Sequence, residues 1–241
     1  MIERVEHLAE GVSLYLGDCR TILPTLGKVG AVITDPPYGI GYAKYESHED
    51  CPEDYPLLIG LSVDEAERHL EDGWMCVFQA AKTAPQWHKW FRRPYRPIAL
   101  PKTFVQILPT LGPTWATDYA IVWPVGKPSQ RGKLRDWFVC ETSDMSLRPK
   151  GHPCPRPLAG MKFLVEALSE RDQVVLDPFC GSGTTGVAAV KLGRRFIGIE
   201  IEPAYFDIAR ARIVEALRQP DLFIEKPARE EPAELQFGEV T

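Results

Sequence analysis

The 241-residue chain lacks any uninterrupted apolar run close to the roughly 18–20 residues that a membrane-spanning helix needs. Its start, MIERVEHLAEG, carries three glutamates and no apolar core, so it does not predict a signal peptide. The six cysteines are scattered without a C-x-x-C pair, which argues against a disulfide framework and against a structural zinc site. Membrane, fibrous and secreted-miniprotein classes are therefore excluded, and a globular domain in a reducing cytoplasm is predicted.

The basic side chains are unevenly distributed along the chain. Residues 82–156 hold 13 Lys and Arg against 4 Asp and Glu, whereas the other residues hold 15 basic and 29 acidic side chains, for a net charge of -5. A basic middle third in an acidic protein is typical of a surface that meets a polyanion such as nucleic acid. Alternatively, these residues only solvate a Pro-rich insertion, and charge alone does not separate the two interpretations.

Hydrophobic periodicity predicts short buried strands that alternate with helices. Ser62 followed by Glu65 is a capping-box pattern, which predicts a helix that begins there and ends at Gly73. Strands and helices alternating at these lengths predict parallel crossovers in a doubly wound α/β sheet. The predicted strands cover residues 14–16, 31–34, 74–78, 119–123, 174–176 and 195–199, the predicted helices cover 62–72, 158–168, 183–192 and 203–217, and the predicted loops cover 39–56 and 126–157.

A glycine-rich turn, DPFCGSGTT at residues 177–185, lies between a predicted strand and a predicted helix. In a doubly wound sheet such a turn lies at the carboxyl ends of the strands, where ligands bind, and its glycines allow close approach of the backbone. The turn lacks the Lys-Ser/Thr of a phosphate loop and the glycine spacing of dinucleotide sites. Glu200 ends the next strand, where a carboxylate can accept hydrogen bonds from both hydroxyls of a ribose. Together these features predict a ligand that contains adenosine and needs no pyrophosphate.

A second turn, Asp35-Pro36-Pro37-Tyr38, directly follows a predicted strand and should lie on the same edge of the sheet. The two prolines fix φ and remove two backbone donors, which leaves rigid carbonyl acceptors. A carboxylate, a fixed carbonyl and an aromatic ring suit a planar molecule with an exocyclic amine, because the acceptors can take the amine hydrogens while the ring stacks on the base. The alternative, that the prolines only end the strand, does not account for Asp35 and Tyr38.

The pair DPPYG and DPFCGSGTT closely resembles the motifs of the β-class DNA amino-methyltransferases, over residues 11–124 and 152–215. The resemblance implies a Rossmann-like methyltransferase sheet with a circularly permuted motif order and a small basic insertion. The implied parts are a catalytic half (1–125), a short target-recognition insertion (126–151), a cofactor-binding half (152–219) and an acidic tail (220–241). Because DPPY resembles the adenine-N6 enzymes, the implied activity is methyl transfer from S-adenosylmethionine to N6 of a flipped adenine in DNA.

The resemblance also implies roles for individual residues. Asp35, Pro36, Pro37 and Tyr38 match the catalytic tetrad. The segment HPCPRP at 152–157 resembles the family's His-x-x-x-Lys-Pro beside the methionine end of the cofactor, with Arg in place of Lys, which keeps the charge and changes the geometry. No metal is implied, since a zinc site at His152 would lack partners. The implied cofactor-binding residues are Asp18, His152, Arg156, Asp177, Phe179, Gly181, Ser182, Gly183, Thr184, Thr185 and Glu200.

The interval from Lys127 to Gly151 is shorter than the target-recognition segments common in this family, which predicts a short or relaxed recognition sequence. Residues 39–56 are a candidate lid. Family analogy allows a homodimer and a restriction-modification context. The candidate nucleic-acid-binding residues are Arg92, Arg93, Arg131, Lys133, Arg135, Arg148 and Lys150, supplemented by Lys89, Arg96, Lys102, Trp137 and Phe138.

Two alternative functions stay open at this point. The same fold could act on N4 of cytosine, on an RNA adenine or on a protein glutamine, although the basic middle third favours nucleic acid. The chain could also be a catalytically silent nucleic-acid-binding module on a methyltransferase fold. The intact turns at 35–38 and 177–185 count against that second alternative.

Overall fold

The structure is a computed structural model that describes residues 2–37, 55–80, 84–85, 89, 93–102, 117–129, 134–140 and 156–219. Its strands are β1 (Ile2–Ala9), β2 (Val12–Gly17), β3 (Val29–Thr34), β4 (Leu70–Gln79), β5 (Arg96–Pro101), β6 (Thr117–Val125), β7 (Val174–Asp177) and β8 (Arg195–Glu200). Its helices are α1 (Cys19–Ile22), α2 (Tyr55–Glu67), α3 (Leu158–Leu168), α4 (Thr184–Lys191) and α5 (Pro203–Arg218), with a 3₁₀ turn at Leu23–Thr25. No helix in these described ranges is long and apolar enough to cross a membrane.

All eight strands form one sheet in the order β1-β2-β8-β7-β3-β4-β6-β5. The five strands β2, β8, β7, β3 and β4 are parallel, whereas β1 pairs antiparallel with β2 at one edge. At the other edge β6 runs antiparallel between β4 and β5. The carboxyl ends of the five parallel strands therefore meet at one edge of the sheet, where ligands bind in this class of fold.

Helices cover both faces of the sheet. On one face α3, α4 and α5 bury Leu164, Val187 and Phe206 against the strands, and on the other face α1 and α2 bury Ile22 and Val63. The parallel strands are buried on both sides, which explains why they appear in the sequence as continuous apolar runs. The predicted doubly wound α/β fold is confirmed.

The prediction of a helix over residues 62–72 is wrong at both ends. The helix α2 begins seven residues earlier at Tyr55, and Leu70 already belongs to β4, where it pairs with Val29. Ser62 is fully buried inside α2, so it does not cap the helix. The spacing of Ser62 and Glu65 reports only on local structure. The end of α2 is instead determined by the pairing of β4 with β3, which no local pattern shows.

Two edge strands were not predicted from the sequence. The strand β1 is mostly exposed along its length, so it shows little alternation of apolar and polar residues. The strand β5 contains Pro97 and Pro101, which are tolerated because β5 is the outermost strand of the sheet. Beyond β5, Trp137 bridges to Ala99 and Cys140 bridges to Lys102.

The contact of Phe138 corrects its assignment as a DNA-facing aromatic residue. Its ring stacks on Phe163 of α3, with ring centroids 4.7 Å apart and planes inclined by 12°. An aromatic ring held against the core is not available to stack on a base. The neighbouring Trp137 is 52% exposed, so it keeps a free surface.

Candidate active site

Four acidic residues lie where the parallel strands end. Asp18 follows β2, Asp35 follows β3, Asp177 ends β7 and Glu200 ends β8. The registers of these neighbouring strands bring their ends to the same edge. This edge therefore gathers carboxylates, which suit hydroxyl, amine and cationic groups of a ligand.

A buried hydrogen bond joins the two turns that carry the sequence motifs. Thr34 Oγ1, at the end of β3, donates to Asp177 Oδ1 at 2.8 Å. The same oxygen accepts from the backbone N–H of Phe179 at 3.2 Å. Burial raises the pKa of Asp177 to about 6, and the nearby Asp35 contributes in the same direction. The expectation that the turn after β3 and the glycine-rich turn share one edge of the sheet is confirmed.

The glycine-rich turn is held against α5. Gly183 has φ +78°, and a Cβ added there would lie 2.9 Å from the Cα of Ala209. Only glycine combines this left-handed conformation with so close an approach. From α5, Arg212 donates to the carbonyl of Ser182 and to Thr184 Oγ1, the latter at 3.1 Å. The position of Arg212 in a regular helix gave no sequence signal for this contact.

The carboxylate of Glu200 organises the same turn. One oxygen accepts from the backbone N–H of Gly181 at 2.7 Å, and the other accepts from the N–H of Glu202 at 2.8 Å. Burial raises the pKa of Glu200 to about 7. Each carboxylate oxygen has a second lone pair. The role of Glu200 toward a ribose stays a prediction.

Asp18 caps α1 by accepting from the backbone N–H of Arg20 at 2.8 Å. Hydrogen bonding from the Arg20 side chain lowers the pKa of Asp18, so the group is a stable anion at neutral pH. Its implied role in binding the cofactor stays a prediction. Tyr38 and His152 lie outside the described residues.

Arg156 pairs with two carboxylates, one of which belongs to the Asp-Pro-Pro-Tyr turn. Its guanidinium donates to Asp35 through Nε at 2.6 Å and through Nη2 at 3.0 Å. It also reaches Asp118 Oδ1 at 2.7 Å. The structure places this side chain on the carboxylate of Asp35. Its role beside the methionine end of the cofactor stays a prediction. Asp118, at the start of β6, was not identified from the sequence.

The basic candidates divide into paired and exposed groups. Arg93 contacts Asp64 at 3.0 Å and also Glu67, and it lies over the ring of Trp123. Lys102 contacts Asp118 at 2.9 Å. These ion pairs neutralise both charges, which weakens their assignment to DNA. Lys89, Arg96 and Arg135 are exposed, whereas Arg92, Arg131, Lys133, Arg148 and Lys150 lie outside the described residues.

Comparisons with known proteins show similarity to DNA methylases. Residues 115–211 match the family model for DNA methylases of the N6/N4 class. The candidate methylase YubD of Escherichia coli (strain K12) is 27% identical over 215 residues, which cover 84% of this chain and 90% of YubD. The chain is thus similar to DNA methylases over most of its length.

Solved structures share the fold of this chain. The M1.HpyAVI complex with SAM superimposes with a TM-score of 0.63 at 24% identity, covering 83% of this chain and 98% of that chain. The cytosine-N4-specific PvuII DNA methyltransferase superimposes with a TM-score of 0.65 at 16% identity, covering 86% of this chain and 91% of that chain. The chain thus shares a Rossmann-like methyltransferase fold with both structures.

Proposed function

We propose that this chain transfers a methyl group from S-adenosylmethionine to the N6 amine of adenine in DNA. The observation that carries the proposal is the hydrogen bond between Thr34 and Asp177, because it joins the end of β3, directly before Asp35, to the first residue of the glycine-rich turn. The match to the DNA methylase family supports a DNA substrate. The Asp35-Pro36-Pro37-Tyr38 sequence favours adenine N6, by its resemblance to the adenine-N6 enzymes.

The residues at this edge fit S-adenosylmethionine. Glu200 presents a buried carboxylate beside the glycine-rich turn, where it could accept ribose hydroxyls. Asp177 adds a carboxylate beside the glycine-rich turn, which suits the amino group of the methionine end. The residues expected to hold the cofactor are those of the glycine-rich turn together with Glu200. When bound, the cofactor supplies the electrophilic methyl group.

The contribution of Asp35 is to hold the accepting amine. The nitrogen of an exocyclic amine is a poor nucleophile because its lone pair is delocalised into the ring. A hydrogen bond from this amine to Asp35, and another to the carbonyl of Pro36, would fix the direction of the amine. Correct orientation of two reactants lowers a barrier by as much as about 7–11 kcal/mol in well-aligned systems. No covalent protein intermediate is needed.

Base access is the second requirement, since adenine N6 lies inside the duplex. The target must rotate out of the stack or come from an unpaired strand, which costs a few kcal/mol. Tyr38 is proposed to stack on the flipped base, a contact worth about 1–3 kcal/mol by analogy with proteins that bind single strands. The exposed Trp137 is a further aromatic surface near β5.

The test is a methyl-transfer assay with tritiated S-adenosylmethionine and genomic DNA from a strain that lacks DNA methylases. Nucleosides from the labelled DNA are then separated by chromatography. We expect the label in N6-methyl-2′-deoxyadenosine. RNA and protein from the same strain are offered as separate substrates, and label in either of them alone would contradict the proposal. Cofactor binding by calorimetry without transfer to any substrate would favour a silent module.

Cytosine N4 is the second candidate target. The observation that favours it is the shared fold with the cytosine-N4-specific PvuII enzyme. Adenine N6 and cytosine N4 are both exocyclic amines on planar rings, so the same acceptors at Asp35 and Pro36 could hold either one. The same nucleoside separation decides between them, since label in N4-methylcytosine would support the second candidate.

A further inference from the structure

Arg156 lies between two carboxylates that come from different strands. Two of its nitrogens contact Asp35 after β3, at 2.6 and 3.0 Å, and a third contacts Asp118 of β6 at 2.7 Å. Asp118 in turn contacts Lys102 after β5 at 2.9 Å. A continuous row of alternating charges therefore runs from β5 through β6 to the carboxylate of the proposed active site.

Packing restricts where the guanidinium can lie. Its central carbon is 5.0 Å from the centroid of the Phe78 ring, within the range of a cation–π contact. The side chain of Arg156 is 12% exposed and that of Asp118 is 15% exposed, whereas that of Asp35 is 25% exposed. The row of charges is thus most buried at Arg156 and Asp118 and most open at Asp35.

We propose that Asp118 is a positioning residue, which holds Arg156 so that Arg156 orients the carboxylate of Asp35 toward the target amine. This inference rests on the proposed function. A planar guanidinium that donates two parallel hydrogen bonds fixes the plane of the carboxylate that accepts them. A carboxylate oxygen has two lone pairs, so it can accept from a guanidinium and from an amine at the same time.

The charges explain why both neighbours of Arg156 are acidic. Burial raises the pKa of Asp118, and repulsion from Asp35 acts in the same direction. Arg156 compensates both charges at once, and Lys102 adds a second positive charge beside Asp118. Without Asp118, the guanidinium loses one of its two anchors and can rotate about Asp35. A displacement of about 1 Å at a reacting group can lower a rate as much as 100-fold.

The test compares Asp118→Asn, Arg156→Gln and the double variant in the tritium-transfer assay. We expect Asp118→Asn to lower kcat about tenfold while KM for S-adenosylmethionine changes less than about twofold. Because Asp118 acts through Arg156, the double variant should have the kcat of Arg156→Gln alone. Asp118→Glu, which keeps the anchor, should recover most of the lost rate.

Asp64→Asn is the matched control, since Asp64 also pairs with an arginine, at 3.0 Å, but lies on α2. An equal kcat for Asp118→Asn and Asp64→Asn, or additive effects in the double variant, would overturn the proposal. The wild type, Asp118→Asn, Arg156→Gln and the double variant are also unfolded in urea. We expect the effects of the two substitutions on the free energy of unfolding to be non-additive, whether or not methyl is transferred. If the wild-type chain transfers no methyl group, the proposed function fails. The urea coupling still decides whether Asp118 anchors Arg156, and its absence would overturn that step.

Discussion

At the scale of single residues, Asp35 has the largest predicted effect on the reaction. Asp35→Ala removes the acceptor for the target amine and leaves the glycine-rich turn unchanged. We therefore expect methyl transfer to fall at least about 100-fold, while calorimetry shows S-adenosylmethionine bound within about threefold of the wild-type affinity. Asp64→Ala, on α2, is the control that should keep activity. A collapse of cofactor affinity in Asp35→Ala would show that Asp35 binds the cofactor and not the target amine.

Glu200 gives a prediction about pH because its pKa in the folded protein is about 7, above the ordinary value of 4.5. As the pH rises, Glu200 therefore loses its proton at a lower pH in the unfolded chain than in the folded protein. The contribution of the protonated group to stability is complete below about pH 4.5 and is lost as the pH rises through 7. In the wild type, this group should lower the free energy of unfolding by on the order of 3 kcal/mol between pH 4.5 and 8. We expect this decline to be absent in Glu200→Gln.

Urea unfolding at several pH values in this window measures that decline. Glu202→Gln, at the exposed neighbouring position, is the control and should keep the wild-type pH dependence. An unchanged pH dependence in Glu200→Gln would contradict the prediction. Calorimetry on the same variant should show weaker S-adenosylmethionine binding with little change in DNA binding.

At the scale of secondary-structure elements, the contact between the glycine-rich turn and α5 decides whether the cofactor site can form. Gly183→Ala places a Cβ 2.9 Å from the backbone of Ala209, at a φ of +78°. We expect the free energy of unfolding to fall by about 2–4 kcal/mol, from left-handed strain together with overpacking. Thermal or urea unfolding measures the change.

Gly27→Ala is the matched control, because no atom lies within 4 Å of a Cβ added at Gly27. That variant should stay within about 0.5 kcal/mol of the wild type. Equal stabilities for the two variants would show that α5 does not restrict the turn. Cofactor affinity should fall in Gly183→Ala only, since α4 begins directly after this residue.

At the scale of the whole molecule, the distribution of charge should orient the chain on DNA. Lys89 and Arg135 are exposed in the basic middle third, whereas Lys28 and Arg171 precede β3 and β7 at the opposite edge of the sheet. We expect the double variant Lys89→Ala/Arg135→Ala to reduce the slope of log K against log salt by about 1.8, from two lost phosphate contacts.

Fluorescence anisotropy with a labelled duplex over a series of salt concentrations measures this slope. Lys28→Ala/Arg171→Ala, which removes the same charge from the opposite edge, should keep the wild-type slope. If both double variants change the slope equally, binding follows the net charge alone and the DNA has no preferred face.

Much of the central sheet could be predicted from the sequence, since β3, β7 and β8 are buried apolar runs whose identity depends on local pattern. The edge strands could not, because β1 is polar and exposed and β5 contains two prolines. The start of α2 was also missed, since the pattern at Ser62 and Glu65 is as compatible with a helix interior as with a helix end.

The sequence by itself determined the two motifs, their order along the chain and the acidic residues that end the strands, because each of these depends on neighbours within a few positions. Only the tertiary structure decided which side chains meet. Thr34 and Asp177 are 143 positions apart, and Arg156 and Asp35 are 121 positions apart. Contacts over such distances depend on strand order and register, which bring Arg156 to the carboxylates of both Asp35 and Asp118.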